Sequence, residues 1–319
     1  MQLSIPIENN VIVSPDNNNA VASTTVQLQD LIKQFIDSVD VCTESKNIYM
    51  RQMKQFAQWL YKHNKQLYAL ERNDIIHYKE YLISIKKSFN TIGGYITIVR
   101  KFFEWLESSK MFPNIARDVK GVKRSKGFRK DCLTPEQIIK ILNLIDRSTL
   151  QGLRDYALIN LLVRTGLRTI EISRATIEDL RQQAGEAILW IQGKGRGTKD
   201  EFVLLLEESL DPLREYLSRR KMSSETEPLF TQLKEWDNPF LTTRMISGII
   251  KERFRDAGLD DKRLSAHSLR HTAISLSIKG GASLVQAQAM ARHADPKTTM
   301  IYFHNQARIM HGAERYIKI

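Results

Sequence analysis

Residues 113–131, PNIARDVKGVKRSKGFRKD, break the chain in two. The stretch holds a proline, two glycines and almost no apolar periodicity, so no amphipathic helix or strand runs through it. It reads as an interdomain linker, and the residues on either side must build separate cores. A length of 319 residues accommodates two domains, and an apolar content of 42% is enough to fill them.

Upstream of this break the apolar residues recur at helical spacing. Residues 1–23, with Asn9, Asn10 and Asn17 to Asn19, read as a polar, flexible arm. From Thr24, the run TVQLQDLIKQFIDSV aligns Leu28, Leu31, Ile32, Phe35 and Ile36 on one stripe. TESKNIYMRQMKQFAQWLYKHN repeats the pattern with Ile48, Met53, Phe56, Trp59 and Leu60. RNDIIHYKEYLISI and NTIGGYITIVRKFFEWLES supply two more helices. Residues 24–112 are thus expected to form a compact helical bundle.

Downstream, residues 132–319 are expected to form a second, mainly α domain. Thr134 can cap a helix with Pro135 at its first position and Gln137 closing a capping box. A second apolar helix runs through YALINLLVRTG and stops at Gly166. AILWIQG and EFVLLL read as two strands around the turn GKGRGTK. After Leu210 the pattern is helical, apart from turns. The fold class is mainly α with one small antiparallel sheet.

The net charge is +12, with 48 Lys and Arg against 36 Asp and Glu, which points to a polyanionic partner. The linker alone carries seven Lys and Arg against two Asp. A solvated loop is one reading of such a run. Its place between two helical domains favours a strap on a phosphate backbone, with Lys120, Lys123, Arg124, Lys126, Arg129 and Lys130 as contacts. Cys42 and Cys132 belong to no C-x-x-C pair, which argues against a disulfide scaffold or zinc ribbon and for a reducing cytoplasm. No apolar run has the length of a membrane span.

Several familiar chemistries find no support. GKGRGTK matches neither the P-loop nor the dinucleotide pattern, and no H-E-x-x-H or Cys/His ligand set is present. No metal or cofactor is expected. Basic and polar groups stand instead at turns and helix starts: Arg168 beyond a helix cap, Glu171 three residues on, Lys194 on the hairpin turn, His267 and Arg270 at i, i+3, then His293 and Tyr302. Two arginines can grip one phosphodiester and offset the charge that builds at pentacoordinate phosphorus. A lysine can protonate a leaving oxygen, imidazoles can hold protons near neutrality, and a tyrosine hydroxyl can attack. Each residue taken singly has a bland explanation in surface pairing or packing; the ordered combination does not.

That order, Arg168 in TGLR, Lys194 in GKG, His267 and Arg270 in HSLRHT, His293 in ARHADPKTT and Tyr302 in MIYFH, resembles the tyrosine recombinases, or phage integrase family. The resemblance covers residues from about 134 to 304; the first domain resembles, more loosely, the family's SAM-like core-binding domain. It implies that Tyr302 attacks the scissile phosphate and becomes 3′-phosphotyrosyl, that Arg168 and Arg270 clamp the phosphate, and that Lys194 is the general acid. It further implies that His267 assists proton transfer, that His293 bonds the phosphate, and that Glu171 orients Arg168. Lys199 competes with Lys194 because the turn is longer than the family's common form. The usual LGH before the second histidine is MARH here, a change expected to alter packing more than chemistry.

The implied function is site-specific recombination of double-stranded DNA through a Holliday junction, by a tetramer on paired sites, as the integrase of a mobile element. An Xer-type chromosome dimer resolution recombinase is the alternative; a type IB topoisomerase or an idle DNA-binding protein fits the motif set less well. The tail after Tyr302, with Ile309, Met310, Ala313 and Ile317, either docks on a neighbouring protomer or packs on its own domain.

Overall fold

The computed structural model describes residues 15–122, 131–221, 224–233 and 239–318, with side chains from residue 27 onward. The chain divides into two compact units, Met1–Lys126 and Gly127–Ile319.

The first unit contains α1 (Pro15–Ser38), α2 (Thr43–Lys62), α3 (Arg72–Ser84) and α4 (Phe89–Ser108). Helix α1 begins at Pro15, not at Thr24. A proline fits a first turn, but the asparagines that follow give no apolar stripe to reveal the helix. Phe35, Met53, Phe56, Trp59, Tyr78, Phe102 and Phe103 fill the core, and Phe56 meets Tyr78 edge to face with ring centroids 4.9 Å apart. Ile48, expected on the buried stripe of α2, is 45% exposed. It sits near the N-terminal end of the helix, before the stripe meets its neighbours. Ala116 and Val119, expected in the linker, are buried against this core.

The second unit contains α5 (Pro135–Asn143), α6 (Leu150–Thr165), α7 (Thr169–Arg174), β1 (Leu180–Gln183), β2 (Glu186–Ile191), β3 (Glu201–Leu204) and α8 (Glu207–Arg219). It ends with α9 (Thr243–Asp256), α10 (Ala266–Lys279), α11 (Leu284–Ala291) and α12 (Pro296–His311). The three strands form an antiparallel sheet in sequence order, with Leu189 paired to Leu180 on one side and Val203 on the other. β1 reads LRQQ, without apolar alternation, and escapes a sequence reading for that reason. Helix α6 is buried on nearly every side and packs against α8 and α10. The expected capping box forms, Thr134 Oγ1 accepting from the Gln137 backbone N–H and Gln137 Oε1 from that of Thr134.

Gly166 ends α6 at φ 63°, a left-handed conformation that glycine adopts without the steric penalty of a Cβ. The chain therefore turns out of α6 there, and α7 starts three residues on at Thr169. Ile274, Ile278, Ala287, Ala291 and Tyr302 form a small apolar cluster joining α10, α11 and α12. Among the described residues, no helix is long and apolar enough to cross a membrane.

Candidate active site

The turn at Gly166 places Arg168 as the N-cap of α7. Glu171, fully buried in the first turn, accepts from the Arg168 backbone N–H at 2.7 Å and from Arg168 Nη1 at 2.7 Å. A buried carboxylate beside a helix N-terminus normally loses by desolvation and gains from the helix N–H groups. Here burial acts to raise the Glu171 pKa, but Arg292 and Arg168 outweigh it and hold the group below its ordinary value.

Arg270 projects from the first turns of α10 and is buried. Its Nη1 donates to the Gly166 carbonyl at 2.5 Å and its Nη2 to the Ala291 carbonyl. Burial, and then the charges of Arg168 and Arg292, push its pKa down to about 9, so the guanidinium remains charged at neutral pH. The left-handed glycine thus has a second consequence. It turns a carbonyl at the helix end toward two arginines, Arg270 of α10 and, at 3.4 Å, Nη2 of Arg292.

Tyr302 lies on α12, which Asp295 starts by accepting from the Lys297 N–H, with Pro296 in the first turn. Its side chain is buried, with the residue 4% exposed, and its Oη is hydrogen-bonded to Nδ1 of His271. Burial raises the tyrosine pKa, while Arg270 and Arg168 pull it down; the net direction is up. The His293 ring lies nearly parallel to that of Tyr302 with centroids 6.3 Å apart, and its Nδ1 is 2.9 Å from Thr299 Oγ1. His267 meets His271 edge-on at 4.5 Å. Burial and neighbouring cationic groups bring both His271 and His293 down to about 4, which leaves them neutral at physiological pH.

A cavity of about 800 Å³ is lined by Arg168, Lys194, Arg292, His293 and Glu201, among others. Lys194 is exposed on the turn between β2 and β3. Lys199 is held elsewhere, with its Nζ 2.7 Å from Asp179 Oδ2 and 2.9 Å from Thr176 Oγ1. The two lysines that spacing left as competitors thus stand in different surroundings.

Two residues of this site went unnamed in the sequence reading. His271 follows Arg270 directly and lies one turn beyond His267; only its partner, thirty-one positions away, reveals it. Arg292 lies within the MARH stretch, where the departure from LGH was expected to alter packing more than chemistry, and its Nη2 bonds Glu171 at 2.9 Å. Among the linker positions, Lys120 is exposed, with its carbonyl accepting from Lys79 Nζ at 3.3 Å. Lys123, Arg124, Lys126, Arg129 and Lys130 lie outside the described residues.

Comparison with known proteins converges on one family. The family model described as the phage integrase family matches residues 131–308. Tyrosine recombinase XerD of Listeria innocua is 31% identical over 244 residues, covering 74% of this chain and 78% of that protein. XerD of Listeria monocytogenes is 29% identical over 291 residues, covering 87% and 94%. Among solved structures, XerH site-specific recombinase bound to a palindromic difH substrate superposes with a TM-score of 0.73 at 22% identity, over 93% of this chain and 86% of that one. The Tn1549 transposon integrase in complex with circular intermediate DNA gives 0.70 at 17% identity, over 90% and 98%. The two structures share the fold, and the family model with its sequence relatives supplies the rest: this chain belongs to the phage integrase family and is a tyrosine recombinase, whose family reaction is DNA strand cleavage and transfer.

Proposed function

We propose that Tyr302 is the nucleophile of this recombinase and that its target is the phosphodiester of a specific recombination site. The observation that carries the reading is the convergence of Arg168 and Arg270 on the Gly166 turn, beside a buried tyrosine hydroxyl bonded to a neutral imidazole. Neutral His271 can accept the Tyr302 proton, with His267 edge-on behind it to assist. The Tyr302 oxygen then bonds phosphorus and the bond to the 5′ oxygen breaks, leaving a 3′-phosphotyrosine. Lys194, across the cavity that Arg168 and His293 line, supplies the proton that the 5′ oxygen takes up. Arg168 and Arg270 balance the negative charge on the equatorial oxygens, and His293 donates to one of them. Glu171 holds Arg168 in place. A 5′ hydroxyl from the partner strand reverses the step, so the bond energy is kept in the phosphotyrosine and strands are exchanged through a Holliday junction.

Four active sites on two paired DNA sites fit this chemistry, which makes a tetramer the working assembly. Exposed Ile309, Met310 and Ile317 suit a tail that docks on a neighbouring protomer. The basic run from Lys120 to Lys130 suits a strap on the DNA backbone. Integration or excision of a mobile element is the biological reading adopted, with the site of action in the cytoplasm. The near full-length XerD relatives favour a second reading, an Xer-type recombinase acting on a chromosomal site. Duplexes from the flanks of its own gene, set against duplexes from elsewhere in the chromosome, separate the two.

The test is covalent trapping on nicked duplexes, with chelator present, followed by a denaturing gel. Wild type is expected to give a slow-migrating protein–DNA adduct that Tyr302→Phe does not form, while both bind the duplex equally. An adduct that persists in Tyr302→Phe removes the tyrosine from the mechanism.

A further inference from the structure

Arg292 occupies a position that the backbone makes unfavourable for it. Its φ of 51° and ψ of 48° are left-handed, a conformation in which every residue but glycine crowds its own Cβ. Its side chain is only 4% exposed. Nη2 bonds Glu171 Oε2 at 2.9 Å, Nη1 donates to the Met290 carbonyl at 2.6 Å, and the buried Nε has no hydrogen-bond partner among the described residues. A strained backbone and an orphaned buried donor both oppose keeping an arginine here for packing alone.

The compensation lies in the charge. Arg168, Arg270 and Arg292 are grouped around Glu171, the one carboxylate hydrogen-bonded to any of them among the described residues; Glu201 acts on Arg292 from farther away. Arg168 is tied to Arg292 a second time, donating through Nη2 to the Arg292 carbonyl at 3.3 Å. Glu171 therefore divides its charge between two guanidiniums. Were Glu171 paired with Arg168 alone, it would cancel most of the charge that Arg168 offers a phosphate. Three guanidiniums less one carboxylate leave a surplus of two, which equals the charge on a pentacoordinate phosphorus and exceeds that on a resting diester. Interactions that strengthen toward the transition state raise the rate more than the affinity.

We infer that Arg292 is a positioning residue for phosphoryl transfer: by sharing Glu171 it fixes that carboxylate and leaves Arg168 a larger uncancelled charge for the scissile phosphate. The inference rests on the assignment of Tyr302 and the phosphate clamp above. Arg292→Gly is the informative variant because it removes the guanidinium and also suits the left-handed backbone, so folding is expected to be preserved.

The experiment measures single-turnover adduct formation on a nicked duplex, duplex Kd and melting temperature for wild type, Arg292→Gly, Arg292→Lys and Tyr302→Phe. In Arg292→Gly the adduct rate is expected to fall on the order of 10–100-fold. Its Kd should stay within about threefold, since most affinity comes from phosphate contacts spread along the duplex, and its melting temperature should be unchanged or raised. Arg292→Lys, which keeps the charge without the planar fork, should recover part of the rate. A wild-type rate in Arg292→Gly overturns the inference, as does a rate loss that only follows a lowered melting temperature. A wild-type chain that forms no Tyr302-dependent adduct overturns the reading of the site itself, and this inference with it.

Discussion

Two of the charge clusters in the second unit differ in the balance of their signs. Between α6 and α9, Asp155 receives both Nε and Nη2 of Arg154 on one oxygen and both Nε and Nη2 of Arg253 on the other, at 2.8 to 3.0 Å. Asp256 pairs with Arg253 at 2.8 Å on the outer side. Two guanidiniums face two carboxylates, and folding alone completes the cluster. Around Gly166, by contrast, Arg168 and Arg292 share Glu171, while Arg270 beside them bonds the Gly166 and Ala291 carbonyls. Burying charge is tolerated when it is paired and hydrogen-bonded. The first cluster meets that condition from within the chain. The second carries three guanidiniums against one carboxylate, a surplus that fits the phosphate clamp proposed above.

The largest effect expected from breaking this comparison is on the balanced side. Asp155→Asn leaves the buried Arg154 guanidinium without its carboxylate, takes one of two from the partly buried Arg253, and should lower the unfolding free energy by about 3–5 kcal/mol. Urea denaturation measures it; a loss under about 1 kcal/mol would mean the pair contributes no more than a surface ion pair. The folded fraction should still cleave DNA. On the unbalanced side the pattern reverses. Arg270→Ala should reduce adduct formation by about 10²–10³-fold, while its melting temperature moves only slightly, because an uncompensated cation leaves with two carbonyl contacts. Parallel losses of rate and stability in Arg270→Ala would erase the distinction between the clusters.

A smaller effect sharpens it through pH. His271 and His293 are held near 4 in the folded chain by burial and nearby positive charge, below the ordinary histidine value. The unfolded chain therefore binds more protons than the folded one once pH drops below about 6.5. Stability should be fully present above that pH and decline as pH falls toward 4. Replacing His293 with Gln should flatten part of that decline in a series of melting temperatures. An unchanged slope would place His293 in a more open setting than the one described.

The helices were legible in the sequence because their apolar residues recur at 3.6-residue spacing, and Thr134, Gly166 and Asp295 mark boundaries that the structure keeps. The elements that escaped lack such a signal. β1 is polar after its first residue, and α1 opens with a run of asparagines that carries no apolar periodicity. The polar set could be listed from the sequence by residue type and order, but only the fold shows which of its members meet. The supporting residues could not be listed. His271 and Arg292 owe their places to partners 31 and 121 positions away. Each looks ordinary until the fold brings the partner to it.

One measurement addresses the central assignment most directly. The trapped protein–DNA adduct, digested with nuclease and trypsin, can be mapped by mass spectrometry to a single side chain and a single end of the cleaved strand. The expected product is a nucleotide joined through its 3′ phosphate to the oxygen of Tyr302. A nucleotide on any other residue, such as exposed Tyr316, or one joined through a 5′ phosphate, would contradict the assignment of the nucleophile and the direction of attack.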